Sequence, residues 1–194
     1  MNRSELKTKA KKAISGKVFT LFAIMLIAML VVGLLTCLTV GLASLLTAGG
    51  IVLATAMIYL GIVNKGRKPK IEDLMYGFKS KTFLNGFVGY LRYVVFVALW
   101  SMLLWIPGIV KALSYSMMFY IMVDNPKMDA GEAQKKSMAM TQGHKGDLFV
   151  LYLSFIPWFI LCGITFGLAA IYVVPYVSAT MALYYEGLKK KSAK

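Results

Sequence analysis

Three long stretches of this chain are almost free of charge, and they constrain it more than any other feature. Residues 18–64 contain no Asp, Glu, Lys or Arg; residues 82–123 contain two, Arg92 and Lys111; residues 148–185 contain none. Each stretch is about twice the ~20 residues that a helix needs to cross a hydrocarbon core, and each has a turn-like centre. The pattern predicts an all-α, polytopic membrane protein with six transmembrane helices in three hairpins. The expected layout is one integral membrane domain: a basic amphipathic helix at 1–17, hairpin 1 at 18–64, a cytoplasmic loop at 65–81, hairpin 2 at 82–123, a cytoplasmic helix and loop at 124–147, hairpin 3 at 148–186, and a basic tail at 187–194.

Charged residues make up 15% of the chain, against about 25% in a soluble domain. The formal charge of +14 would suggest nucleic acid in a soluble protein, but the placement of the charges argues otherwise. Of the 22 Lys and Arg residues, six precede residue 18, six lie between 64 and 82, four between 124 and 147, and four after 186. With six crossings these segments share one side, and the opposite turns, near 36–47, 104–108 and 163–168, have none. The positive-inside rule then places both termini in the cytoplasm of a multi-pass plasma-membrane protein. The expected partner of the basic segments is the bilayer itself, through anionic lipids at the cytoplasmic face, and not nucleic acid. No small-x-small cleavage site precedes a polar mature region, as a signal peptide would require. Leu34-Leu35-Thr36-Cys37 is a poor lipoprotein box because Thr36 stands before the cysteine. Cys37 and Cys162 both fall near the uncharged face, as free thiols or as a disulfide.

Local signals fill in the segments. Ser4 is placed to cap a first helix in which Leu6, Ala10, Ala13 and Ile14 share a face, giving a short interfacial helix on the inner membrane surface. In hairpin 1, Gly33, Gly41, Ala43, Gly49 and Gly50 suit close helix packing in lipid. Ile71, Leu74, Met75 and Phe78 recur at helical spacing, a second interfacial helix on the cytoplasmic side. Hairpin 2 is expected to turn at Trp105-Ile106-Pro107-Gly108 and to leave the membrane at Asp124-Asn125-Pro126. Asp129 and Glu132 start a cytoplasmic helix that Gly143 stops. Ala130, Ala133, Ser137 and Thr141 lie on one of its faces with Met138 beside it, and Lys135 and Lys136 face water. Pro157 and Pro175 fall inside the helices of hairpin 3, as packing kinks or as bends around a cavity.

Catalytic constellations are missing, and no enzyme is expected. His144 is the single histidine, the acids are scattered, and there is no phosphate-cradling loop and no nucleophile–base set. No catalytic, cofactor-binding or metal-binding residue is assigned, and no cofactor is expected. Glu132-Ala133 with Gly143 looks like the coupling loop of ATP-driven importers, but Gln134 and the long spacing to the glycine make it a chance match. The informative outliers are Arg92 and Lys111, because ionisable groups within membrane helices usually face a bundle interior. Measured from Pro107 at ~1.5 Å per residue, Arg92 lies about 22 Å down, Lys111 about 6 Å and Asp124 about 25 Å. Lys111 is thus in reach of the outer headgroups, while Arg92 has Asp124 as its expected partner, Glu186 as the alternative, or a bound anion. A candidate polar, anion-binding seam comprises Arg92, Lys111, Ser114, Tyr115, Tyr120, Asp124, Tyr176 and Glu186. These tyrosines and Ser114 are also good interhelical hydrogen-bonding and interface residues.

Several stretches together resemble a known family. They are Arg3-x-Glu5-Leu6-Lys7 with Lys11 and Gly16; the run from Ile106 through Pro107-Gly108-Ile109-Val110-Lys111-Ala112 to Ser114-Tyr115-Ser116-Met117; Tyr120 with Asp124-Asn125-Pro126; Glu132-Ala133 with Ser137-Met138 and Gly143; Phe149 with Leu153-Ser154-Phe155-Ile156; and Pro175-Tyr176 with Tyr184-Tyr185-Glu186. The chain is similar in these to the Firmicute integral-membrane family catalogued as domain of unknown function nine-seven-five. The resemblance implies a Gram-positive plasma-membrane protein with about six helices, and it supplies no reaction. The expected role is non-enzymatic: binding of an anionic lipid or amphiphile, or of a partner membrane protein. The alternatives are a small transporter or exporter component, most easily as a homodimer, and an immunity factor against membrane-active peptides.

Overall fold

The computed structural model describes residues 3–38, 42–103 and 105–192, with side chains except at 31, 33–46, 80, 81, 103 and 105. The described residues form helices α1 (Arg3–Ile14), α2 (Val18–Leu38) and α3 (Leu42–Lys65), a 3-10 helix (Ile71–Phe78), then α4 (Ser80–Leu103), α5 (Trp105–Tyr115), α6 (Met118–Asp124), α7 (Ala130–Thr141), α8 (Lys145–Leu153), α9 (Ile156–Ile164) and α10 (Ala170–Ser192). There is no strand among them. Four stretches are long and apolar enough to cross a bilayer: Thr47–Lys65, Thr82–Met102, Ile106–Asp124 and Lys145–Ile164. Arg3–Ile14 with Val18–Leu30 makes a fifth if it counts as one span, bent by 83°. Large apolar side chains face outward in numbers that water would penalise, including Phe19, Met29, Leu99, Met102, Ile106, Ile164 and Phe166. An apolar surface this extensive fits hydrocarbon as its solvent.

α3 and α10 form the centre. α3 packs on α2, the 3-10 helix, α4, α6 and α10, while α10 packs on α1, α2, α3, α7 and α9. Tyr59 of α3 and Tyr176 and Tyr185 of α10 are fully buried, as are Met117, Met118 and Ile121. The windows in α3 and in α5–α6 are 50% buried, against 11% in α4 and 17% in α8–α9, so the latter two are peripheral.

Glycine makes the α3 contacts possible. A Cβ on Gly49 would collide with the Gly86 carbonyl of α4, and one on Gly77 with the Gly50 carbonyl, so the backbones meet directly. The expected packing role thus holds for Gly49 and Gly50, while Gly33, Gly41 and Ala43 lie outside the described side chains. The 3-10 helix therefore runs back along α3, with Leu74 half-buried and Ile71, Met75 and Phe78 exposed. Its entry is held by the Lys70 N–H donating to Asp73 (3.0 Å) and by an Arg67–Asp73 ion pair of 2.5 Å.

Several local expectations hold. Asp129 caps α7, its carboxylate accepting from Gly131 N (2.8 Å). Gly143 ends the segment at φ 78°, a conformation that glycine adopts without strain. Ala130, Ala133, Ser137 and Thr141 are buried, and Lys135 and Lys136 are exposed. The turn expected near 163–168 falls between α9 and α10, where Gly167 N donates to the Cys162 carbonyl (2.8 Å).

Others need correction. α1 starts at Arg3, ahead of Ser4, so Ser4 is not its cap. Its apolar face, Leu6, Ala10 and Ile14, is buried against α10 instead of lying on lipid. Trp105-Ile106-Pro107-Gly108 is the first turn of α5 and not the connection expected there. Proline is tolerated in a first turn because its missing N–H has no helical partner there, and a Cβ on Gly108 would strike Ser101 of α4. Pro157 lies in the first turn of α9, after a break at Ser154–Phe155, and so kinks no helix interior, whereas Pro175 lies in the interior of α10.

The glycine contacts predict a selective stability loss. Gly49→Ala and Gly77→Ala should each lower stability by about 1–3 kcal/mol, the usual scale of overpacking. Gly146→Ala, where a Cβ meets nothing within 4 Å, should be neutral or slightly stabilising. Thermal unfolding of the detergent-solubilised protein reads all three.

Candidate functional site

The expected seam does not form as one site. Arg92 projects from α4 toward α7, where its Nε donates to Gln134 Oε1 (3.1 Å) and its guanidinium lies over the Phe96 ring (5.9 Å). A Cβ built on Gly131 would stand 3.0 Å from Asp129 Oδ2 and 3.3 Å from Arg92 Nη2, so the guanidinium and the helix-capping carboxylate flank the same point. Among the described residues Arg92 makes no ion pair. The expected Arg92–Asp124 pair is corrected by the partners each side chain has instead. Asp124 Oδ2 accepts from Lys189 Nζ (2.6 Å) and from the Tyr185 hydroxyl (2.8 Å), and Glu186, the alternative, accepts from Asn64 Nδ2 (2.8 Å).

Asp124 and Glu186 thus tie the C-terminal ends of α6, α3 and α10 together. Tyr120 belongs to the same end, stacked on Tyr185 with ring centroids 5.5 Å apart. The hydrogen bond to Asp124 raises the Lys189 ammonium above its usual range, offset in part by burial. With the folded value raised, this contribution is full at neutral pH and is lost as pH rises through the Lys189 titration.

The other seam residues are dispersed. Lys111 lies over the Trp100 ring (4.8 Å). The Ser114 hydroxyl donates to Val110 O (2.7 Å), and its carbonyl accepts from Ser137 Oγ (2.7 Å) and Thr141 Oγ1 (3.4 Å). The small hydroxylated face of α7 therefore docks on α5. Tyr115 is buried with its ring edge-on to Tyr93 and Phe96, beside Gln134. Tyr176 belongs to a separate cluster with Phe155, Trp158 and Tyr172. Cys162 is a free thiol, and Cys37 lies outside the described side chains. Sequence reasoning missed Gln134, whose signal is a lone amide on the buried face of α7.

A concavity lies elsewhere. A cavity of about 500 Å³ opens between α2, α3 and α10, lined by Leu21, Phe22, Met25, Met29, Ile51, Val52, Thr55, Ile58, Tyr59, Leu74, Tyr90, Val174 and Pro175. Its walls are almost wholly apolar. The Tyr59 hydroxyl is buried with no hydrogen-bond partner within 3.5 Å among the described residues, although Ser178 lies nearby. At the Leu21–Ile58 end the next turn carries cations: Lys17 Nζ donates to the Gly66 carbonyl (2.9 Å), and Arg67 packs against Gly61 and Met57.

The class is therefore an all-helical protein with four to five helices suited to a membrane. Residues 93–192 match the family model described as Protein of unknown function (DUF975), and the chain belongs to that family. No curated protein and no solved structure matches it.

A double-mutant cycle tests the reassignment of Arg92. Arg92→Leu and Gln134→Leu should be coupled by about 0.5–3 kcal/mol, while Arg92→Leu and Asp124→Asn should add. Thermal unfolding in one detergent supplies the four stabilities of each cycle.

Proposed function

We propose that this protein is a non-enzymatic integral membrane protein that binds an anionic lipid or amphiphile, with the chain in the α2–α3–α10 cavity and the headgroup at the cationic end. The observation that carries this reading is the cavity. Its ~500 Å³ falls within the ~300–1,000 Å³ usual for ligand sites. From Ala48 to Tyr59 its wall runs about 16 Å along α3 at ~1.5 Å per residue, a length suited to one acyl chain. Lys17 and Arg67 stand near its end, in a stretch of sequence that also carries Lys65, Lys68 and Lys70 against Glu72 and Asp73, which favours an anion there. The anionic ligand of this reading sits in the cavity and not along the dispersed seam of Arg92, Lys111 and Tyr176. Six crossings in three hairpins, both termini in the cytoplasm and residence in a Gram-positive plasma membrane belong to the same proposal. The four basic segments carry it, because they share one side only with an even number of crossings.

Two experiments test it. Native mass spectrometry of protein taken from mixed phosphatidylglycerol–phosphatidylcholine bilayers should show retained phosphatidylglycerol. Thr55→Phe, which fills the cavity, and Lys17→Gln, which removes a cation at its end, should each cut that retention several-fold. Equal retention of both lipids, or none lost in Thr55→Phe, refutes the cavity. For the topology, cysteines introduced in a Cys37/Cys162-free background should react with an impermeant reagent on intact cells at Thr47→Cys and Thr165→Cys, and not at Lys68→Cys or Lys136→Cys. External reaction at Lys136→Cys ends the six-crossing arrangement.

A further inference from the structure

Four aromatic rings of hairpin 3 gather at the break between α8 and α9. Tyr176 meets Phe155 edge-on at 5.6 Å and Trp158 at 5.7 Å, and it stacks on Tyr172 at 6.0 Å. Two ammonium groups from α1 reach this cluster. Lys7 Nζ lies 4.8 Å from the Phe155 centroid, and Lys11 Nζ lies 5.6 Å from that of Tyr176 and 5.8 Å from that of Trp158.

The backbone at the same point is short of donors. Pro157 has no N–H to offer the Leu153 carbonyl, and the Trp158 N–H turns to the Phe155 carbonyl (3.0 Å). The Ser154 carbonyl accepts from Lys7 Nζ instead (3.3 Å). A cation here also complements the negative end of α8. The place therefore combines π faces, an accepting carbonyl and a helix C-terminus, all of which favour a positive group. It is also open: Lys11 is exposed and Trp158 is half-exposed, while Phe155 and Tyr176 are buried.

We propose that the Phe155–Trp158–Tyr172–Tyr176 cluster is a binding site for organic ammonium headgroups, held in this structure by the protein's own Lys7 and Lys11. The ligand class is a cationic amphiphile carrying a methylated ammonium, because aromatic boxes favour quaternary ammonium and a primary lysine ammonium is the more strongly hydrated cation. Tethering gives the lysines a high effective concentration, so a ligand must displace them or find them absent. The site is separate from the α2–α3–α10 cavity and of opposite ligand charge.

The test uses the full chain in choline-free phosphatidylglycerol nanodiscs, with Trp100→Phe and Trp105→Phe leaving Trp158 as the fluorescent reporter. Dodecyltrimethylammonium, kept a minor component, should shift Trp158 emission saturably. Lys7→Gln with Lys11→Gln should lower the half-saturating concentration at least ten-fold, and Tyr172→Leu should raise it. Lys11→Gln alone, at an exposed position, should lower it several-fold, which preserves the comparison if the double variant does not fold. The neutral isostere with a tert-butyl head should give no saturable shift. An equal response to the neutral isostere, or no tightening when the lysines are removed, overturns the proposal.

Discussion

Backbone meets backbone twice along one turn of α3, and the rest of the bundle is arranged around that contact. Gly49 lies against Gly86 and Gly50 against Gly77. In lipid the hydrophobic effect does not press helices together, so close packing must supply the attraction. With no side chain intervening, α4 and the 3-10 helix approach α3 on one side. This leaves its other faces to α2, α6 and α10. The apolar cavity is the counterpart of that tight side. Between α2, α3 and α10 the described residues line a cavity of about 500 Å³.

The features legible in the sequence were local or compositional. The Asp129 cap, the small face of α7 and the Gly143 stop depend on a few neighbouring residues. The turn near 163–168 and the long apolar helices depend on where charge is absent. The side-chain partnerships were not legible, for a geometric reason. Counting residues from Pro107 estimates how deep a side chain lies, but not which way round its helix it points. Arg92 and Asp124 have similar counts, yet Arg92 points to Gln134 and Asp124 to Lys189 and Tyr185. Gln134 carries no charge, so a search for a counter-ion passes over it. The contact of Lys7 with Ser154 spans 147 positions, and no periodicity reaches across such a distance.

The helix breaks show a common logic. Lys7 donates to the carbonyl at the Ser154 break, and Ser137 and Thr141 donate to the Ser114 carbonyl beside the Ser116–Met117 break. Buried backbone acceptors away from water require such donors. In both places the donor comes from a segment that was read as cytoplasmic, α1 or α7. These short polar helices therefore complete the hydrogen bonding of the apolar ones in addition to bearing charge.

The position of α10 has a consequence for how the molecule is made. It follows the other described helices in the chain, yet it holds ten of the buried residues, and its Lys189 and Tyr185 supply the donors to Asp124. Without it, α1 loses most of the surface on which Leu6, Ala10 and Ile14 are buried, and the Asp124 carboxylate lacks both donors. Docking of α10 therefore completes the contacts of elements far earlier in the chain, and a chain cut short before residue 170 keeps α3 but loses the other half of its centre.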